Sequence, residues 1–248
     1  MSKREVLRAE NLCRSYCEGT EVLKELNFVI HEQEFVGIMG RSGSGKTTLL
    51  KLLGLIDLPT KGKLYFMGED TRGIRGDRLA QIRRSEIGFI YQDYYLMDSL
   101  SVLENIMLPM VLEHMREIEC YRRAKRQAKY FDLAHLTEKN PYELSGGEKQ
   151  RVAICRALIN NPDIIFADEP TGNLDLRSAK MVIQTLGKIY RELKKNIVLV
   201  THDPYMASYC TRLLLIKDGK IVRDVKRRCS QKEFYEKVIE LQKDTFGA

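Results

Sequence analysis

No apolar run in this sequence approaches the roughly 20 residues that a membrane-spanning helix needs. Its six cysteines, at positions 13, 17, 120, 155, 210 and 229, include no two pairs at zinc-site spacing. Free thiols of a reducing compartment are therefore expected. Six prolines and 17 glycines show no period, which excludes collagen-like and low-complexity architecture. There is no internal repeat, no Gly/Ser linker and no sustained heptad run. The stretch Met1 to Glu10 is too polar and acidic for a secretion signal, so the protein is expected to stay where it is made.

What is present is a chain of 248 residues, 44% hydrophobic and 30% charged, which excludes disorder and suffices for a sizeable core. The net charge of +7 is unevenly placed: residues 1–120 carry a net −2 and residues 121–248 a net +9. A basic half can face nucleic acid or an anionic membrane, or simply water, and charge alone does not choose.

Apolar patterning gives the organisation. Val6–Asn11 and Leu26–Ile30 read as extended, joined by a polar turn at Gly19. Phe35–Met39 is a short apolar strand running into a glycine-rich loop, and Thr47–Leu55 a helix. A strand over Gly62–Met67, a short charged helix over Asp77–Ser85 and a strand over Ile87–Tyr91 follow. From about residue 98 the pattern turns helical, opened by a Ser101/Glu104 capping box, with Pro109 expected to kink or interrupt the first helix. A basic helix over Cys120–Phe131 and a Gly-Gly helix through Leu158 complete this stretch. Strands at Ile164–Ala167, Ile197–Thr201 and Leu213–Lys217 then alternate with helices at Arg177–Leu193 and after Pro204. Asp218-Gly219 is a hairpin turn into Lys220–Val225, and a C-terminal helix over Gln231–Thr245 carries Glu233 and Lys237 at i,i+4 spacing. The expectation is an α/β fold, a mostly parallel sheet flanked by helices, with an antiparallel β element and an inserted helical subdomain. Residues 1–94 and 161–248 would form the core and about 95–160 the insert, all within one domain.

Gly40-Arg41-Ser42-Gly43-Ser44-Gly45-Lys46-Thr47 fits the phosphate-loop pattern between a buried strand and a helix. Such glycines let successive N–H groups curl around phosphate oxygens at a helix N-terminus. Lys46 would reach the β- and γ-phosphates and Thr47 a Mg²⁺ ion. Downstream, the strand at Ile164–Ala167 ends in Asp168 and Glu169. Asp168 is placed to hold Mg²⁺ through water and Glu169 to orient the attacking water. A third element, Leu144-Ser145-Gly146-Gly147-Glu148, opens a helix with a second anion-ready terminus.

In this order the three elements resemble the nucleotide-binding subunit of an ATP-binding cassette transporter, over nearly the whole chain. The resemblance implies ATP and Mg²⁺ as cofactors and a P-loop NTPase core. It makes Gly40, Ser42, Gly43, Ser44, Gly45, Lys46, Thr47 and Thr48 nucleotide-binding, with Tyr16 stacking on adenine. Gln92 would touch Mg²⁺ beside Thr47 and Asp168, and His202 would join Glu169 as a catalytic residue facing the γ-phosphate. Gly172-Asn173-Leu174-Asp175 matches a loop that crosses a dimer interface. A head-to-tail homodimer is implied, in which Ser145, Gly146, Gly147, Glu148 and Asp175 complete the partner's site.

The wording of residues 168–175 and 91–97 resembles the group of lipoprotein-release, macrolide-efflux and bacitracin-type peptide transporters. Arg41, where that family commonly has Pro, and Glu148-Lys149, where it commonly has Gln-Gln, depart from the pattern. The expected partner is an integral-membrane permease, with the chain peripheral on the cytoplasmic face of the cell membrane. Tyr94, Tyr95, Leu96 and Met97 are expected to form its exposed docking run. The alternative is an ATP-driven regulatory clamp on a membrane protein, without transport. A DNA-repair cassette would need a long coiled coil, so nucleic acid is not an expected partner. A small-molecule kinase would not explain residues 144–148.

Overall fold

The computed structural model describes residues 3–17 and 19–247. Its centre is a six-stranded sheet of β3 (Phe35–Met39), β6 (Ile87–Tyr91), β7 (Ile164–Asp168), β8 (Asn196–Val200), β9 (Arg212–Lys217) and β10 (Lys220–Lys226), in the order β10-β9-β3-β8-β7-β6. From β9 to β6 the pairs are parallel, and only β10 runs antiparallel. All five residues of β3 and of β8 are buried, as strands covered on both faces must be. The β9–β10 turn at Asp218-Gly219 has φ of 51° and 79°, the left-handed pair that a tight hairpin needs.

A second, antiparallel sheet, in the order β2-β1-β4-β5, joins β1 (Glu5–Cys17), β2 (Thr20–His31), β4 (Lys61–Phe66) and β5 (Glu69–Asp70). Its first two strands are longer than the sequence pattern indicates. Asn11 and Glu25 take positive φ, and the register shifts along the pair. Each irregularity resets the in–out alternation, so the period-2 signal breaks inside a continuous strand.

Helix α1 (Lys46–Leu53) follows β3 directly. The short α2 (Gly76–Gln81) ends in one wide, π-type turn over Ile82–Glu86 rather than running on as an α-helix. Between β6 and β7 come α3 (Val102–Leu112), α4 (Glu117–Tyr130) and α5 (Gly146–Leu158). The Ser101/Glu104 capping box is formed. Pro109 does not interrupt α3, which continues through Leu112. Lying near the helix end, its ring removes a single backbone donor. Helix α6 (Leu176–Glu192), the short α7 (Pro204–Ala207) and α8 (Gln231–Phe246) complete the fold. Glu233 does not pair with Lys237 among the described ion pairs. Its carboxylate accepts from Ser230 N and Oγ at 2.9 and 2.8 Å as the helix cap.

The core has three parts. One lies between the α3–α5 helices and the sheet, one between the sheet, α1 and the antiparallel strands, and a small one under α8. Cys13, Cys120, Cys155 and Cys210 are buried free thiols and Cys229 is exposed. Burial pushes the Cys155 and Cys210 thiols up, which keeps them protonated and inert.

Candidate nucleotide site

Because β3, β6, β7 and β8 run parallel, their carboxyl ends lie on one edge of the sheet, where open α/β sheets place ligands. Gly40, Gln92, Asp168 and the Thr201–His202 turn all begin there. Ser42, Gly43, Gly45, Lys46, Thr47, Thr48, Gln92, Glu169, His202 and Val22 line a single cleft of about 390 Å³.

The phosphate loop is built from unusual backbone. Gly43 and Gly45 have φ of +77° and +98°, which side-chain-bearing residues rarely adopt. Gly45 occupies the N-cap of α1, so that helix starts with no side-chain cap and no acidic residue in its first turn. The Lys46 ammonium is buried and donates at 3.0 Å to the carbonyls of Gly40 and Arg41. The buried Ser44 hydroxyl has no partner. A cradle of open N–H groups, an orphaned hydroxyl and an ammonium held on the loop's own carbonyls fits a polyphosphate.

Beside it, the Thr47 hydroxyl donates to Asp168 Oδ1 at 3.2 Å. Burial pushes the Asp168 carboxyl up, the Thr47 bond opposes this, and the neighbouring Glu169 charge adds to it. A half-buried carboxylate kept uncomfortable in this way fits a cation shared with Thr47. Glu169 sits just past the end of β7 with φ of 44°, tied by its N–H to the Val200 carbonyl at 3.0 Å. Holding a non-glycine residue there costs about 1–3 kcal/mol, a strain characteristic of functional positions. Its Oε2 lies 2.9 Å from His202 Nδ1, so the carboxylate and the imidazole orient each other.

Gln92 is tied to the loop after β7. Its Nε2 donates to Asn173 Oδ1 at 3.0 Å, and Asn173 Nδ2 donates to Asp93 Oδ1 at 2.9 Å. Tyr16 is 53% exposed, with the Arg14 guanidinium 4.7 Å from its ring centroid. Its hydroxyl donates to Asp57 Oδ2 at 3.1 Å and reaches Thr48 Oγ1 at 3.5 Å, which sets the ring beside the start of α1.

Ser145, Gly146, Gly147, Glu148 and Asp175 do not line this cleft. Ser145 caps α5: its N and Oγ donate to Glu148 Oε2 at 2.8 and 2.6 Å, which holds the Glu148 carboxyl below its usual range. A side chain on Gly146 would meet Leu174 and the Tyr94 hydroxyl at 3.0 Å, so the helix start is packed closely on the 172–175 loop. Asp175 caps α6 by accepting from the N–H groups of Arg177 and Ser178 at 2.9 and 3.0 Å. The next residue, Leu176, is 91% exposed.

The apolar run after Gln92 divides. Leu96 packs against the core and Tyr94 is half-buried, whereas Tyr95 and Met97 are 63% and 47% exposed. Tyr94 and Tyr95 both take positive φ, and Arg156 of α5 bridges their carbonyls at 2.7 and 2.5 Å. Burial lowers the pKa of the Arg156 guanidinium. Nothing local in the sequence marks Arg156 or Val22, which act through contacts more than sixty and twenty residues away. Asn173 stands in the 172–175 loop that the sequence does mark, but its bonds to Gln92 and Asp93 are tertiary.

A match to the ABC transporter family model spans residues 23–172. The chain is 42% identical over 240 residues to the uncharacterized ABC transporter ATP-binding protein YvcR of Bacillus subtilis, covering 95% of this chain and 93% of that one. It is 41% identical over 243 residues to the bacitracin export ATP-binding protein BceA of Halalkalibacterium halodurans, covering 96% and 95%. Among solved structures, a dimeric post-hydrolysis state of the ATP-binding cassette MJ0796, bound to ADP and Pi, has a TM-score of 0.83 at 40% identity. That match covers 90% of this chain and all of that one. MJ0796 comes from Methanocaldococcus jannaschii. With the phosphate loop, the strand-end acids and the capped Gly-Gly helix in one fold, this chain belongs to the ABC transporter family and is one of its ATP-hydrolysing cassettes.

Proposed function

We propose that two copies of this chain close head to tail around ATP and drive a separate membrane permease from the cytoplasmic face. The observation that carries this reading is the division of the site. The cleft holds the phosphate loop, Gln92, Glu169 and His202, while the Ser145–Glu148 helix start lies on a separate part of the same chain. A half-site and its complement on one chain are what a shared, two-site dimer requires. MJ0796 is itself dimeric, and the cbiO1 cassette of Clostridium perfringens, at a TM-score of 0.84 and 28% identity, is part of a transporter complex. No helix among the described residues is long and apolar enough to cross a membrane.

In this reading Lys46 and the loop N–H groups bind the β- and γ-phosphates, and Tyr16 offers its exposed face to adenine. Thr47 and Asp168, with Gln92 nearby, would hold Mg²⁺, which neutralises phosphate charge. Glu169 accepts the proton of the attacking water, and His202, fixed by that carboxylate, donates toward the γ-phosphate. Gln92, zipped to Asn173, connects the phosphates to the exposed Tyr95 and Met97, where a cytoplasmic segment of the permease docks. Similarity to BceA makes amphiphilic antimicrobial peptides the proposed substrate class, handled by export or removal.

Glu169→Gln tests the shared site. An amide is far too weak a base to assist water, so turnover should vanish while ATP binding persists. In ATP the variant should elute as a dimer by size exclusion. An active, monomeric variant would sink both the catalytic assignment and the closed dimer.

A further inference from the structure

Helix α8 lies against the back of the phosphate loop, and three polar contacts tie it there. Gln242 Nε2 donates to the His202 carbonyl at 3.1 Å. Arg41, a residue of the loop itself, donates to the Gly247 carbonyl at 2.6 Å, and Lys217 Nζ donates to the Thr245 carbonyl at 3.1 Å. The helix is anchored by Phe234 and Val238, both fully buried against a cluster that includes Met39, the residue before Gly40. A cleft of about 370 Å³ runs between the helix and the loop, and His202 lines both this cleft and the nucleotide cleft. His202 therefore stands between two fixed points: its ring is bonded to Glu169 and its carbonyl to Gln242.

We infer that α8 is a strap for the phosphate side of the site and that Gln242 is a positioning residue, holding the His202 peptide so that its imidazole meets the γ-phosphate. The His202 side chain is 71% exposed and the turn that carries it is short, so little packing fixes the ring. The peptide that carries its carbonyl is held on both edges, by the Asp203 N–H donating to the buried Thr201 Oγ1 at 3.1 Å and by Gln242 donating to the carbonyl, and only the second bond comes from α8. Because a misplacement of about 1 Å can cost a catalytic group up to about 10²-fold, a single remote donor is enough to matter. The same strap gives Arg41 a role: it lines the α8 cleft, not the nucleotide cleft, and its guanidinium fastens the loop to the helix end.

This inference rests on the reading that His202 faces the γ-phosphate, and the experiment separates the two. Steady-state ATPase, ADP affinity and melting temperature are measured on the full chain carrying Gln242→Leu, Gln242→Lys or His202→Ala. Gln242→Leu keeps the bulk and removes the donor; it should lower kcat about fivefold, with KM for ATP within about twofold, the loss expected for one hydrogen bond. ADP affinity should stay at the wild-type value, because ADP carries no γ-phosphate, and melting temperature should fall by no more than the few degrees expected for one hydrogen bond. Gln242→Lys restores a donor and should recover most of the kcat. Wild-type turnover in the Leu variant, no recovery in the Lys variant, or a fall in ADP affinity with a larger loss of melting temperature would each overturn the positioning role. Wild-type turnover in His202→Ala would instead overturn the reading of His202, whatever Gln242 does.

Discussion

Helices α1 and α5 both begin where an anion could sit, yet their N-termini are built in opposite ways. α1 starts at Gly45 in the left-handed region, with no capping side chain and no carboxylate in its first turn. α5 starts at Ser145 with a complete capping box, in which the Glu148 carboxylate accepts from Ser145 N and Oγ. The first four N–H groups of any helix lack intrahelical partners. At α1 they are left to a ligand, whereas at α5 the Ser145 hydroxyl takes the Glu148 N–H at 3.4 Å and the Glu148 carboxylate takes the Ser145 N–H at 2.8 Å. On the proposed reading, one terminus is a standing phosphate site. The other is partly protected: on the same reading, a partner's phosphate that engages Ser145 competes with Glu148 for it. That difference suits a machine whose subunits should bind ATP separately but close only when both are loaded.

The comparison breaks most severely at Lys46. Lys46→Ala removes the ammonium from the open terminus and also strips the Gly40 and Arg41 carbonyls of their donor. ATP affinity should fall at least about tenfold and hydrolysis should be lost, given about 1.5–3 kcal/mol for a hydrogen bond to a charged group. Equilibrium binding of a fluorescent ATP analogue reads the first effect and phosphate release the second. Normal hydrolysis by this variant would show that the open terminus is not a phosphate site.

Ser145→Arg breaks the protected terminus alone. The isolated chain should bind ATP with wild-type affinity, since Ser145 lies outside its own cleft, while hydrolysis disappears. Mixing this chain with Lys46→Ala chains leaves each mixed dimer one site with both lesions and one with neither. Activity of the mixture can therefore recover only in part. Wild-type hydrolysis by Ser145→Arg alone would reduce the Gly-Gly motif to an ordinary helix start.

The two termini also differ in how they announce themselves in sequence. The phosphate loop is legible because glycine spacing, a buried strand and Lys46-Thr47 all fall within a dozen residues. Ser145 and Glu148 are equally local, and their capping box follows from spacing alone. The parallel strands are legible too, since Phe35–Met39 and Ile164–Ala167 are short apolar runs bounded by turns. Other features are formed only by tertiary contact. The Arg156 bridge to Tyr94 and Tyr95 and the bond from Gln242 to His202 join residues more than thirty positions apart. The lengths of β1 and β2 are hidden for a different reason, because positive φ at Asn11 and Glu25 resets the alternation within a strand. Leu96 shows that an apolar run need not share one environment: its neighbours face water while it packs inward.

The smallest expected effect is the sharpest test of the protected terminus. The Ser145 bonds hold the Glu148 carboxyl below its ordinary value, against the opposing effect of burial. A carboxyl whose pKa is depressed on folding contributes stability that is present above its unfolded pKa, about 4.3, and lost as pH falls through the folded value. Glu148→Gln keeps the shape and removes the charge. It should therefore cost less than about 1 kcal/mol at neutral pH for this partly exposed group, and that difference should shrink as pH falls below about 4.3. Closure of the dimer should move the other way. With the native carboxylate gone, the partner's γ-phosphate meets a terminus without a competing anion. In a Glu169→Gln background, half-maximal dimer formation should then need about two- to fivefold less ATP, the equivalent of 0.3–1 kcal/mol at a helix N-terminus. Melting curves from pH 3.5 to 7 and size exclusion across an ATP titration read the two effects independently. If Glu148→Gln left the ATP requirement unchanged or raised it, Glu148 would be a cap and nothing more, and the contrast between the two helix starts would carry no function.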